Sequence, residues 1–252
     1  MRTAHFCSKC GGSLFERDER CRLCWTAVAD MPVFEASAAA TSEGSPFVSM
    51  WFNPRDTVRG ILQRDPTHLV MPLAAMGGIL QGLDRASGKN VGDVLSLPAI
   101  LAIVIPLGAV GGMLGLYMGG ALLHFTGKWI GGTGSREDIR ASVAWGTVPA
   151  LWGGLLWIPI ILLTGRAMFT SDLDDGTGAS ASMLLIAGGC LLVQVGAALW
   201  SVFTGLHSLG EAQGFSAWKA LANGVLAGLV IRVPLVVIVV GLAVALPMVM
   251  SA

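Results

Sequence analysis

The sequence predicts an all-α integral membrane protein, a bundle of five transmembrane helices behind a small cysteine-rich domain at the N-terminus. Its composition indicates this class: 54% of the 252 residues are hydrophobic, 13% are charged, and the mean hydropathy is +0.69. Soluble domains carry about 25% charged residues. Sixteen basic side chains balance sixteen acidic ones, which disfavours a strongly basic nucleic-acid-binding protein and an acidic disordered chain.

The first 28 residues are predicted to form a zinc ribbon. The spacing C-x2-C-x10-C-x2-C is formed by Cys7, Cys10, Cys21 and Cys24. Two close pairs of thiolates can surround one tetrahedral Zn²⁺ ion. The expected role of the zinc is structural, because so small a domain has too little core to fold alone and four thiolates leave no open coordination position. Two disulfides are the alternative, which a reducing cytosol disfavours.

Zinc ribbons can bind nucleic acid or proteins. Residues 1–28 carry five basic and three acidic side chains, and they lack a ladder of aromatic side chains on which bases could stack. We therefore expect no nucleic acid, and a cytosolic protein partner that docks on the ribbon. Residues 29–46, rich in Ala and Ser with scattered acids, are predicted to form a flexible linker.

An amphipathic helix is predicted at about residues 53–64, at the start of a membrane domain that covers residues 47–252. Val58, Ile61 and Leu62 recur at helical spacing behind Asn53, which can cap a helix. This helix is expected to lie at the membrane interface. The interface residues are expected to be Trp51 and Phe52 as aromatic anchors and Arg55 and Arg59 as contacts to lipid headgroups. A solvated helix that only leads into the first span is the alternative.

Five nearly uncharged stretches follow, and each is long enough to cross a bilayer once but not twice. The predicted spans are about residues 67–84, 97–126, 142–165, 180–207 and 220–250. Of the Lys and Arg residues outside the spans, twelve fall on the same side as the N-terminus and three on the other. Because cytoplasmic loops retain basic residues, the N-terminus is predicted to be cytoplasmic and the C-terminus outside.

A glycine stripe in the second predicted span is a candidate for close helix packing. Gly111, Gly115 and Gly119 form G-x3-G-x3-G, and Gly108 and Gly112 repeat the spacing. A smooth glycine face lets another helix approach closely. We expect this helix to belong to the same chain, with a homo-oligomer contact as the alternative.

Arg232 is the one charged residue of the last predicted span. The twenty residues after it suffice to cross the bilayer, so Arg232 is predicted to lie at the cytoplasmic membrane boundary, with its guanidinium reaching the lipid phosphates. In the alternative it lies in the membrane middle, where it needs a partner and becomes a functional candidate.

Three segments outside or at the ends of the spans mix polar and aromatic residues. They are WFNPRDTVRGIL (51–62), GGTGSREDIRASVAWGTVP (131–149) and LWSVFTGLHSLGEAQGFSAWKAL (199–221). In this order they resemble three blocks of bacterial members of the Yip1 membrane-protein family, over about residues 47–250. The resemblance implies a five-span bundle with a cytoplasmic N-terminus, in a bacterial inner membrane. Eukaryotic relatives are associated with small prenylated GTPases, but this chain lacks their DLYGP-like motif, so that function is not carried over.

The predicted function is that of a noncatalytic multi-pass membrane adaptor or organiser. No HExxH, GxSxG or paired carboxylates occur in the spans, so we expect no enzyme. A transporter or channel for a small solute or lipid is the alternative. Prolines and glycines in the spans favour transport, whereas the absence of Asp and Glu from the spans disfavours ion coupling.

Overall fold

The computed structural model describes residues 5–6, 13–14, 45–171 and 181–250, and these are almost entirely helical. Near the N-terminus, two short strands, β1 (His5–Phe6) and β2 (Ser13–Leu14), pair antiparallel, with Phe6 opposite Ser13. The four cysteines of the predicted ribbon and residues 29–44 of the predicted linker lie outside the described residues.

A helix is present where the interfacial helix is predicted, and a second short helix precedes it. Helix α1 (Pro46–Phe52) and helix α2 (Pro54–Arg64) each begin with proline, whose fixed φ suits the first helical position. Asn53 lies between them, but its side chain makes no capping hydrogen bond. Val58 and Ile61 are buried in a core cluster, as their spacing predicts.

Helices α3 (Val70–Gly88) and α4 (Leu97–Trp129) pack closely, joined by a 3-10 turn at Val91–Asp93. Glycines make this approach possible. A Cβ built on Gly78 would collide with the carbonyl oxygen of Gly108, and one on Gly112 would collide with that of Ala74. The backbones of α3 and α4 are therefore in direct contact, as in small-residue interfaces of membrane helices.

The third predicted span, residues 142–165, is not a single helix. It is divided into α5 (Arg136–Gly146), α6 (Val148–Gly154) and α7 (Trp157–Thr164), followed by a 3-10 turn at Gly165–Phe169. Proline has no N–H to donate, and Pro149 and Pro159 each fall near the start of a new helix.

Side chains of helix α8 (Ala181–Gln213) satisfy backbone groups at the break between α5 and α6. Ser201 Oγ accepts a hydrogen bond from the Ala150 N–H at 2.7 Å, and Thr204 Oγ1 donates to the Gly146 carbonyl at 2.9 Å. Such breaks are tolerated in a bilayer when neighbouring helices supply these partners. Gly146 and Gly205 allow the close approach, because a Cβ on Gly146 would lie 2.7 Å from the Gly205 Cα.

Helix α9 (Ala217–Met250) follows α8 after a tight turn in which Gly214 has a positive φ of 73°. Within the described residues, three helical stretches are long and apolar enough to cross a membrane: Leu97–Trp129, Arg136–Phe169 and Leu185–Gln213. Three of the five predicted spans correspond to these stretches. For α3, which carries Asp84 and Arg85 near its end, and for α9, a crossing stays a prediction.

The ends of α3 and α7 are joined at one end of the bundle. Arg166 Nε donates to the Gly92 carbonyl at 2.7 Å, and Trp157 Nε1 donates to Asp84 Oδ1 at 3.1 Å. The Trp157 ring stacks on Phe169 with 5.7 Å between the ring centroids. These contacts fix the connection between α3 and α4 against the turn that ends the divided helix.

Candidate functional site

The opposite end of the bundle, called the α2 end below, brings together helix α2, the α4–α5 loop (130–135) and the α8–α9 turn (214–216). Each of these elements belongs to one of the three segments on which the family resemblance rests. The segments are far apart in the chain, so their meeting could not be read from the sequence. This end is the candidate site.

An ion pair ties α2 to α8. Arg59 Nε donates to Glu211 Oε1 at 2.7 Å, and Arg59 Nη1 lies 3.3 Å from Asp56 Oδ1. The Glu211 side chain is only 11% exposed. Burial acts to lower the pKa of Arg59, but the hydrogen bond and charge of Glu211 outweigh it and raise the pKa, so Arg59 stays charged. Arg59, predicted as a headgroup contact, is therefore held by a carboxylate of the bundle.

The aromatic residues of α1 form a second link between the same parts of the chain. Trp200 Nε1, on α8, donates to the Trp51 carbonyl at 3.1 Å. Phe52 is 78% exposed, as an interfacial anchor must be. Arg55 is half-buried. The structure thus joins Trp51 to the bundle and leaves Phe52 exposed, and the contact of Phe52 with lipid stays a prediction.

Gln213, the last residue of α8, is buried and holds the α4–α5 loop. Its side-chain Nε2 donates a hydrogen bond to the Leu123 carbonyl at 3.3 Å. The backbone carbonyl of Gln213 accepts a hydrogen bond from the Thr133 N–H at 3.1 Å. A Cβ built on Gly127 or Gly132 would collide with the Gln213 amide oxygen. Both glycines therefore serve to admit the glutamine side chain.

Asn223, on α9, extends this buried polar network. Thr126 Oγ1 donates to Asn223 Oδ1 at 2.5 Å, and Asn223 Nδ2 donates to the Leu123 carbonyl at 3.0 Å. The carbonyl of Leu123 thus accepts from side chains of both α8 and α9. Because buried amides need partners, this network specifies how the ends of α4, α8 and α9 dock.

Helix α5 starts at the same end and is fixed by its own cap. Ser135 and Asp138 form a capping box, in which the Asp138 N–H donates to Ser135 Oγ at 3.1 Å. The guanidinium carbon of Arg140 lies 4.7 Å from the centre of the Tyr117 ring on α4. Cation–π contact of this kind joins α5 to α4.

The predicted stripe of Gly111, Gly115 and Gly119 is not the face through which α4 packs closely on α3. A Cβ built on Gly111, Gly115 or Gly119 would meet nothing within 4 Å in the described part of the chain. Gly108 and Gly112, one helix face away, face α3 instead. The repeat predicted that α4 packs through glycine, but periodicity alone does not tell which of two interleaved stripes turns inward.

Arg232 is exposed and lies 15 residues beyond the first residue of α9, about 22 Å along the helix axis. Val225, Leu229 and Ile231, which precede it, are exposed and apolar, as lipid-facing residues are. Its place at the membrane boundary stays a prediction that a depth measurement tests.

The zinc ligands Cys7, Cys10, Cys21 and Cys24 also stay a prediction, since they lie outside the described residues. Within the described ranges, no group of three or more His, Cys, Asp and Glu side chains is suited to hold a metal ion.

Long apolar helices, a helix divided at prolines and buried polar ties between helix ends define a multi-pass helical membrane protein. The chain belongs to the Yip1 domain family, whose model matches residues 48–240. This match confirms the family that the three segments indicated, and it leaves the N-terminal domain outside. No curated protein and no solved structure matches the sequence.

Proposed function

We propose that the protein is a noncatalytic membrane adaptor or organiser, whose N-terminal zinc ribbon docks a cytosolic protein at the membrane surface. The observation that carries this proposal is the double attachment of α1 and α2 to the bundle, through Arg59–Glu211 and Trp51–Trp200. These helices directly follow the N-terminal segment in the chain. A partner held by the ribbon is thus tethered to a fixed point on the membrane domain.

Two features support the zinc ribbon. The cysteine spacing supplies four thiolates, the donor set of closed structural zinc sites. Strands β1 and β2 pair on either side of the segment that contains Cys7 and Cys10 in the sequence, as strands do around a zinc knuckle. In this proposal the four cysteines hold one structural Zn²⁺, and the ribbon folds only with its metal.

The proposed orientation, with the N-terminus cytoplasmic in a bacterial inner membrane, rests on the distribution of basic residues. It is tested with single reporter cysteines at two exposed positions, Lys89→Cys and Glu137→Cys, in intact cells. A membrane-impermeant maleimide should label position 89 and not position 137. Labelling of position 137 alone would reverse the orientation.

The adaptor proposal is tested by affinity capture with the full chain and with a variant that lacks residues 1–28. We expect the same cytosolic protein to be captured repeatedly by the full chain and to be lost with the deletion. The truncated membrane domain should still elute as a single species in detergent, because its described contacts lie within residues 45–250. Equal capture by both forms would contradict the proposal.

Transport of a small solute or lipid is the second candidate, and one observation favours it. Gln194 Nε2 is buried without a hydrogen-bond partner among the described residues, and the Gln194 Cα packs beside Gly153, close to the break between α6 and α7. Broken helices with free polar groups line the sites of many transporters. Solute flux into proteoliposomes that falls in Gln194→Leu would support transport, and flux equal to that of empty liposomes would exclude it for the solutes tested.

A further inference from the structure

An open groove of about 160 Å³ lies between α1, α3 and α6. Its lining includes Phe47 from α1, Leu73 and Met76 from α3, Val148 and Trp152 from α6, and Leu155 just after α6. All of them are apolar or aromatic. The groove is therefore lined by hydrocarbon surface.

The groove is a recess and not a flat face. Leu73 and Val148, which form its floor, are 2% and 0% exposed. The walls are formed by Met76, Trp152 and Leu155, each almost half exposed. A slender apolar molecule can therefore lie on a buried floor between walls that reach the surface.

Neither water nor a polar ligand suits this recess. An apolar cavity stays dry because water needs several polar partners, and none of the side chains above offers a well-placed one. Val148 to Leu155 lie within Arg136–Phe169, a stretch long and apolar enough to cross a bilayer. The groove therefore opens toward lipid hydrocarbon, and the flexible slender molecule available there is an acyl chain.

The Phe47 end of the groove is linked by side-chain packing to the turn that follows α2. The Phe47 ring lies 5.2 Å from the Trp145 ring, and Trp145 Nε1 donates to the His68 carbonyl at 3.2 Å. Arg64, at the end of α2, is exposed. Arg64 precedes His68 by four residues in the chain, so its long side chain offers a positive charge to a phosphate on the α2 side of the groove.

Asp65 limits the electrostatic attraction between Arg64 and a lipid phosphate. Hydrogen bonds from the Thr67 hydroxyl and N–H lower the pKa of Asp65, so its carboxylate stays charged beside Arg64. The hydrocarbon chain, and not the headgroup, must then provide most of the affinity.

We propose that the groove between α1, α3 and α6 binds one acyl chain of a bilayer phospholipid, with the headgroup at the Phe47 end. Such a lipid would fill the space between α1, α3 and α6. The proposal concerns residues of the membrane domain only, so it stands or falls independently of the zinc ribbon and its partner.

The test is the amount of phospholipid that the full chain retains through repeated detergent exchange, measured as organic phosphate per chain. Met76→Trp places a larger side chain in the wall of the groove. Leu162→Trp is the matched control, because Leu162 is 80% exposed on α7, within the same candidate span, and does not line the groove. We expect about one phosphate per chain in the wild type and in Leu162→Trp, and about tenfold less in Met76→Trp.

Retention that is equal in Met76→Trp and the wild type, or absent from the wild type, would overturn the proposal. Should Met76→Trp fail to elute as a folded species, Leu155→Trp blocks the other wall and takes its place. A second measurement uses the wild type alone: a phospholipid with brominated acyl chains should quench tryptophan fluorescence saturably. The saturable part should be smaller in Trp152→Phe, and saturable quenching equal to that of the wild type would also count against the groove.

A third possible result of the retention test is that the chain forms a dimer. If the wild type elutes as a dimer without bound phosphate and Met76→Trp elutes as a monomer, the groove is occupied by a second copy of the chain, and the lipid proposal is wrong.

Discussion

Arg59 on α2 and Glu211 on α8 form a 2.7 Å ion pair although 152 residues separate them in the chain. The pair connects the first and third of the segments that resemble the Yip1 family. The middle segment joins them through Thr133, whose N–H donates to the Gln213 carbonyl. These segments therefore build one structural unit at the α2 end, where the membrane domain meets the N-terminal part of the chain.

The ion pair should contribute measurably to stability. Arg59→Gln removes the charged partner of Glu211, which is largely buried, and we expect a loss of about 2 kcal/mol in the free energy of unfolding. Arg55→Gln is the matched control, because Arg55 lies on the same helix and the structure describes no ion pair for it. Denaturant unfolding in detergent measures both. Equal losses in the two variants would mean that the pair adds nothing specific.

Two neighbouring glycines of α4 should respond oppositely to a methyl group. Gly112→Ala forces a Cβ into the Ala74 carbonyl and the Gly78 backbone, so we expect a loss of about 1–3 kcal/mol. Gly111→Ala meets open space and should be neutral, or stabilising by up to about 1 kcal/mol through helix propensity. Thermal unfolding of both variants tests this. Similar damage from Gly111→Ala would show that its stripe packs against another helix, as in a homo-oligomer.

The N-terminal cysteines should bind one zinc ion per chain. Cys7→Ser removes one of four thiolates, and we expect it to abolish stoichiometric zinc while leaving the membrane domain folded. Cys190→Ser changes the fifth cysteine, which lies in α8 among apolar residues, and should leave zinc unchanged. Elemental analysis of the purified chains measures the metal. Full zinc in Cys7→Ser would refute the ligand assignment.

The depth of Arg232 can be measured with a spin label on Arg232→Cys in liposomes. An interfacial position predicts collision with a water-soluble paramagnetic reagent at a rate close to that of a label at Lys219. The control for the membrane middle is a label at Leu114, an exposed residue halfway along α4. A rate at position 232 equal to that at position 114 would contradict the interfacial prediction and make Arg232 a functional candidate.

Local patterns predicted the local structure well. The spacing of Val58 and Ile61 predicted the amphipathic helix α2, because burial on one helix face leaves a periodic trace. Prolines were less informative about where a helix breaks. Pro106 lies inside the unbroken helix α4, whereas Pro149 falls where α5 ends and α6 begins. The difference lies in the neighbouring helix α8, whose Ser201 and Thr204 side chains form hydrogen bonds with backbone groups at the break between α5 and α6. No local sequence pattern shows these contacts.

Contacts between distant residues were not predictable. Glu211, Gln213 and Thr126 are ordinary polar residues near the ends of helices, and only the fold brings them to Arg59, Leu123 and Asn223. The one sequence signal that pointed to them was the family resemblance of the segments that contain Arg59, Glu211 and Gln213.

The central claim, that a zinc-dependent ribbon docks a cytosolic partner on this membrane domain, is tested most directly by comparing Cys7→Ser with Cys190→Ser. Both variants carry the same substitution, and both should leave the helical bundle in the membrane. Proteins crosslinked to each chain in cells are quantified by mass spectrometry at equal chain levels. The account predicts a partner that is retained by the wild type and Cys190→Ser and is about tenfold depleted in Cys7→Ser. The same partners at the same levels in all three chains would contradict it.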